Sequence, residues 1–293
     1  MKEIKIIITF DLDPDVEQEL NNKKERWLGL KEGTRKFVSD LKRKFNFNIP
    51  ISWFVRVDDE IKKEFGDYLG LIKKNKNLFK MLKDFGGKFY LHPHLYSYDI
   101  NNGVWFQETN QIKIASQLRK ILISAKKNLY LNNKVIRIGG HYFSREILKI
   151  LLDNKVILDS SCLPGRKSLS NKPFDWSNSS QKKHFLKNKN KKLLEVPPTM
   201  IRIKASYDKK AYNRYLDLTY KSLLVKKYKK NINFNLNNYV MTLSHPSQFI
   251  TKKKHGLLGN GTQNYINNLN LILNTITKKG YRYRFCHIED LIK

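Results

Sequence analysis

Short apolar runs rich in β-branched and aromatic residues recur along this chain, and most are followed by a stretch with helical spacing. The runs fall at 4–10, 49–57, 88–91, 134–138, 156–158, 193–196, 239–243 and 281–286. Helical spacing fills 33–45, 58–85 (in two pieces), 112–130, 144–154, 207–229 and 264–278. Ser144 is placed to cap one of these helices, and Gly86-Gly87 to stop another. About eight such alternations without an internal repeat predict a parallel α/β fold, either a barrel or an open doubly wound sheet. At 293 residues the chain can bury a full core.

Composition narrows the surroundings. No apolar run approaches the roughly 20 residues of a bilayer span, and the N-terminus has no secretory pattern. Cys162 and Cys286 are the only cysteines, so no disulfide framework is expected and the cytoplasm is the expected compartment. The formal net charge is +31. Its lysines are spread along the whole chain, as at Lys62, Lys73, Lys182, Lys226 and Lys252, and are read as solvated faces rather than a nucleic-acid surface. An anionic glycan, a glycolipid or peripheral contact with an anionic membrane fits the charge equally well.

The polar residues that matter sit at strand ends. Asp11, Asp13 and Asp15 follow the first strand, where Pro14 ends ladder pairing. Carboxylates this close need a cation or an arginine between them. His92-Pro93-His94 follows the third run, Arg137 lies at the end of the fourth with Gly139-Gly140 after it, Asp159 follows the fifth and His245 a later one. In parallel α/β architectures that edge is where active sites assemble. Two histidines and a carboxylate suit zinc or a similar divalent ion.

In their order, Thr9-Phe10-Asp11-Leu12-Asp13, Leu91-His92-Pro93-His94, Arg137-Ile138-Gly139-Gly140 and Leu243-Ser244-His245 resemble the polysaccharide deacetylase family of carbohydrate esterases. The resemblance implies a distorted (β/α)7-type barrel, a single catalytic domain over 1–293, and metal-dependent removal of acetyl groups from glycans. It implies Asp11 as general base, Asp13, His92 and His94 as metal ligands, and Arg137 as the residue orienting Asp11. His245 would be the general acid, tuned by Asp159. Zinc is the expected metal, with cobalt, nickel or manganese as alternatives. The commonest family spacing would replace His94 by Tyr96, Asp-Leu-Asp stands for an adjacent Asp pair, and Arg-Ile-Gly-Gly stands for Arg-x-Pro. The missing leader points to an acetylated sugar of a surface-glycan or lipopolysaccharide precursor, N-acetyl before O-acetyl.

Two other readings stay open: hydrolysis of another C–N or glycosidic bond on the same barrel, and a basic glycan- or nucleic-acid-binding module with a degenerate site. The segment 160–192 reads as a long, irregular basic loop. Tyr96, Tyr98, Trp105 and Trp176 are expected in loops, the first three in the one that follows His94, and could stack on sugar rings or serve packing. The flexible loop 256–261 lacks a phosphate-loop lysine, and the sequons at Asn178 and Asn260 are expected to be idle.

Overall fold

The computed structural model describes residues 2–15, 26–168, 174–234, 236–250 and 261–292. The chain divides into two compact units, Met1–Ser52 with Met81–Gly87 and Pro198–Asp290, and Trp53–Lys80 with Lys88–Pro197 and Leu291–Lys293.

The first unit is built on the strand Glu3–Leu12, whose Ile4, Ile6, Ile7, Ile8 and Phe10 are all fully buried. Burial on both faces is what a parallel strand flanked by helices requires, and explains why this run does not alternate. Tyr239–Met241 and Arg282–Phe285 both pair with it in parallel, Ile6 lying opposite Val240 and Phe285. The helices Thr34–Phe45 and Gly261–Lys278 cover it. Phe10, Phe37, Phe249 and Tyr265 meet at the strand's C-terminal end, with ring centroids 4.4–5.5 Å apart along five of their pairs. At about 0.5–1.5 kcal/mol per aromatic pair beyond burial, this cluster fixes the end of the strand and the turn carrying Phe249.

In the second unit Gly87–His92, Leu131–Ile136, Leu158–Asp159 and Lys191–Glu195 run parallel in that order, and His184–Asn188 adds an antiparallel edge. Ile51–Arg56 spans the division between the units, and all six of its residues are buried. The register of Gly87–His92 against Leu131–Ile136 shifts between Tyr90 and Leu91. Such a bulge re-aims the strand's last side chains.

The parallel α/β class is borne out, as is the cap: Ser144 Oγ accepts from the Ile147 N–H at 3.3 Å. Three segments differ from expectation. The stretch 207–229 is not one helix: Tyr212–Tyr215 pairs antiparallel with Met200–Ile203, and only Ser222–Tyr228 is helical. A partner strand there satisfies the backbone that helical spacing alone suggested was self-paired. Tyr96–Asp99 and Val104–Gln107 form a hairpin rather than a loop. The segment 160–192, read as an irregular loop, holds the strand His184–Asn188, which owes its conformation to its antiparallel partner Lys191–Glu195. The loop at 256–260 and Asn260 lie outside the described residues. No helix among the described residues is long and apolar enough to cross a membrane.

Candidate active site

In the first unit, Asp11 and His245 leave adjacent parallel strand ends. The Asp11 N–H donates to the Ser244 carbonyl at 3.0 Å, and the Ser244 N–H to the Thr9 carbonyl at 3.2 Å. Asp11 is buried, and Asp13 Oδ2 lies 3.4 Å from His245 Nε2. A quarter of the His245 side chain stays exposed, which leaves it room to reach a bound molecule. Burial alone would lower the pKa of His245. The Asp13 carboxylate, with Asp11 and Asp217 behind it, outweighs that and pushes it up to about 9.

The turn Pro246–Phe249 is held by Gln248, whose Oε1 accepts from the His245 N–H at 2.8 Å and whose Nε2 donates to Asp217 Oδ2 at 2.7 Å. Asp217 Oδ1 accepts from Ser244 Oγ at 2.7 Å and from the Thr219 N–H at 2.8 Å. Asp217 thus fastens the residues on both sides of His245. Sequence reading missed it, because it was assigned to a helix; its Asp-Leu-Thr turn signal was the available clue. Asp15, the third carboxylate of the acidic stretch, faces elsewhere and accepts from the Gly29 N–H at 2.9 Å. Burial raises it to about 6 against those backbone bonds. Its task is to anchor the chain at Gly29, where a Cβ would overlap that carboxylate and the Ser247 backbone.

In the second unit, His92 and His94 are buried, with Nε2 of one 3.2 Å from Nε2 of the other. His92 Nδ1 lies 2.8 Å from the Arg137 carbonyl. A carbonyl only accepts, so Nδ1 carries the proton and the Nε2 lone pair of neutral His92 points at His94. Metal-binding histidines are oriented in this way, the far nitrogen donating to a carbonyl. The Arg137 N–H donates to the Leu91 carbonyl and the Gly139 N–H to the Pro93 carbonyl, at 2.9 and 2.8 Å, extending the pairing past the strand ends. Gly139 is required here, because a Cβ would fall inside the His94 imidazole. The first of the two glycines after Arg137-Ile138 therefore makes room for the second histidine.

His94 is also held from behind. Its N–H donates to Asp58 Oδ2 at 3.1 Å, and that carboxylate pairs with Arg56 Nε at 2.5 Å. Asp58 and Arg56 were not singled out by sequence reading, since an Asp before a helix reads only as a cap. Arg137 is fully buried. Its guanidinium donates to the Ser160 carbonyl and hydroxyl, both at 3.1 Å, and lies 4.0 Å over the Phe54 ring. Asp159, fully buried, accepts from the Ser160 N–H and Ser161 Oγ at 2.9 and 2.6 Å. Among the described residues, His92 and His94 are the candidate metal ligands of the second unit, and Asp13 is that of the first.

Of the aromatic residues, Tyr96 and Trp176 are buried, and Trp176 Nε1 donates to the His141 carbonyl at 2.9 Å. Tyr98 and Trp105 meet on the hairpin with centroids 5.1 Å apart and ring planes tilted by 56°.

Free of metal, His245 is expected to titrate near pH 9, read by NMR of its imidazole in the presence of chelator. Its folded pKa is raised, so the stability it contributes is complete below about 6.5 and is lost as pH rises through about 9. In Asp13→Asn that pH-dependent loss of Tm should shrink and the titration move towards 6.5. An unchanged titration would show that Asp13 does not set it.

No family model matches the chain, and no curated protein resembles it in sequence. Solved structures do resemble it. A Mycobacterium smegmatis protein assigned as a polysaccharide deacetylase superposes with a TM-score of 0.59 at 11% identity, over 99% of this chain and 89% of that one. A protein from Parabacteroides distasonis assigned as a glycoside hydrolase/deacetylase gives 0.56 at 9%, over 97% and 70%. A 4-alpha-glucanotransferase from Thermococcus litoralis gives 0.53 at 13%, over 99% of this chain but 40% of that one. At such identities the likeness is one of fold: the chain has the α/β fold of the polysaccharide deacetylases.

Proposed function

We propose that the chain is a metal-dependent deacetylase that removes an acetyl group, N-acetyl before O-acetyl, from a sugar of a surface-glycan or lipopolysaccharide precursor in the cytoplasm. The observation that carries this reading is the buried histidine pair, its Nε2 atoms turned to each other at 3.2 Å while the Arg137 carbonyl holds the far nitrogen of His92. The fold it shares with deacetylases supports it. In this reading the whole chain acts as one catalytic domain.

His92, His94 and Asp13 would hold a divalent cation, zinc before cobalt, nickel or manganese. Bound there, the ion supplies Lewis acidity, polarising an acetyl carbonyl and making a water more acidic. Asp11 would take the proton of the attacking water, with Arg137 orienting Asp11. His245 gives its proton to the departing amine, which is a poor leaving group without it. Asp13 pushes the pKa of His245 up to about 9 while it bears a full charge. With its charge shared with a bound cation, Asp13 would raise the pKa of His245 less, leaving an acid that can both hold and release its proton. The carboxylate we assign to holding His245 is Asp217 rather than Asp159, because Asp217 grips Ser244 and Gln248.

The test is acetate release from N-acetylated oligosaccharides and nucleotide- or lipid-linked amino sugars, with and without chelator. Release should stop with chelator and return with zinc. Asp11→Asn should lower kcat about 10²–10⁴-fold with metal content unchanged. Protein that takes up no zinc, cobalt, nickel or manganese would sink the reading, and new reducing ends in place of acetate would move it to glycosidic bonds.

A further inference from the structure

Asp159 and Glu195 are register partners on the adjacent parallel strands Leu158–Asp159 and Lys191–Glu195, and both are fully buried. One oxygen of each has a donor. Asp159 Oδ1 is served by Ser160 N–H and Ser161 Oγ, and Glu195 Oε1 by the Cys162 N–H at 3.0 Å. The other two oxygens, Asp159 Oδ2 and Glu195 Oε2, are buried without a hydrogen-bond donor among the described residues, on side chains that are register partners of adjacent strands. An ionised carboxylate only accepts, so a proton carried by one of the two is what gives both oxygens a partner.

Charge balance leads to the same count. The ionisable groups facing the pair are the guanidinium of Arg137 and the thiol of Cys162. Burial holds the thiol neutral, leaving one positive charge for two carboxyls. Two ionised carboxylates against one arginine in a dry interior would leave an unbalanced negative charge.

We infer that Asp159 and Glu195 share one proton at neutral pH, and that this singly charged pair is the fixed counter-charge that positions Arg137. The link runs through Ser160. Its N–H donates to Asp159, while its carbonyl and hydroxyl accept from Arg137. Its hydroxyl in turn donates to the Val196 carbonyl, one residue beyond Glu195, at 2.7 Å. Burial first, then the neighbouring carboxyl, raises Glu195 well above the ordinary carboxylate range, and burial raises Asp159. Glu195 and Asp159 are thus positioning residues. Because the Arg137 carbonyl also orients His92, the pair serves both the arginine and the histidine it holds.

The inference concerns protonation and the setting of Arg137, and is tested without an activity assay. Infrared difference spectra of the full-length protein at neutral pH should contain the carbonyl stretch of a buried, protonated carboxylic acid, and Glu195→Gln should remove it. In that variant the amide can donate to Asp159 as the shared proton does, so one negative charge persists, and the exchange-protected Nε–H resonance of Arg137 should persist too. Asp159→Asn should behave alike, with Glu195 ionised. The double variant removes the pair's negative charge from beside Arg137. It should lose the protected resonance and lower Tm by more than the two single changes together. Absence of the acid band in the wild type would overturn the shared proton. Additive single changes with the Arg137 resonance intact in the double variant would overturn the positioning role. Neither outcome bears on whether acetate is released, so the two readings fail separately.

Discussion

Gly139→Ala is expected to abolish divalent-cation binding while leaving the fold in place. The new Cβ would occupy the space of the His94 imidazole. That ring cannot yield by sliding with its backbone, because the His94 N–H is fastened to Asp58 and the Gly139 N–H to the Pro93 carbonyl. Rotation about the side chain is left, and it carries Nε2 away from its partner on His92. Loss of a second-sphere contact typically costs about 10–100-fold in metal affinity; expelling a ligand should cost more than about 100-fold. Overpacking itself should cost about 1–3 kcal/mol. Calorimetric zinc titration and a chelator-treated melting curve separate the two effects. Wild-type zinc affinity in Gly139→Ala would remove His94 from the ligand set and return Tyr96 as its alternative.

The second large effect is on stability. Asp58→Ala should cost about 3–5 kcal/mol, the usual penalty for breaking a buried ion pair from one side. Arg56 and Asp58 are each 1% exposed, and Arg56 also reaches Glu60 Oε2 at 2.7 Å. Without Asp58, Arg56 loses the carboxylate at its Nε in a dry site. The same substitution removes the cap on the Ile61 N–H, at 3.0 Å, worth about 1 kcal/mol. It also frees the His94 backbone, so metal affinity should fall with stability. Burial raises the Asp58 pKa, but the Arg56 charge and hydrogen bond outweigh it and hold the carboxyl below its usual 3.8. The sign follows: this stability is present above about pH 3.8 and is lost as pH falls through the lowered value. Denaturant titrations from neutral to acid pH should show a steeper acid limb in wild type than in Asp58→Ala. Equal stability of the two proteins at neutral pH would refute the account.

Much of this was legible in the sequence because it depends on local pattern. The run at 4–10 announces a parallel strand, since a strand covered on both faces reads as a near-continuous apolar run. The helix from Arg145 begins where its Ser cap predicts. The resemblance carried by Asp11, His92, Arg137 and His245 is borne out at the level of fold.

The misreadings have one cause. Residues 212–215, the hairpin 96–107 and the strand 184–188 all owe their conformation to a partner segment. Pairing energy is non-local, and a chain read one window at a time does not display it. Asp217, Asp58 and Glu195 went unmarked for the same reason. Each looks like an ordinary turn, cap or strand residue until its burial and hydrogen-bond partners are known.

By itself, then, the sequence determined the alternation of strands and helices, and which chemically capable side chains follow strand ends, because apolar spacing and residue type are local properties. Tertiary structure alone decided which carboxylate supports His245, why glycine must face His94, and that Asp159 lies against Glu195 beside Arg137. Those facts rest on burial and on distances between residues far apart in the chain, and at such sites the cost of an unpaired charge selects the arrangement.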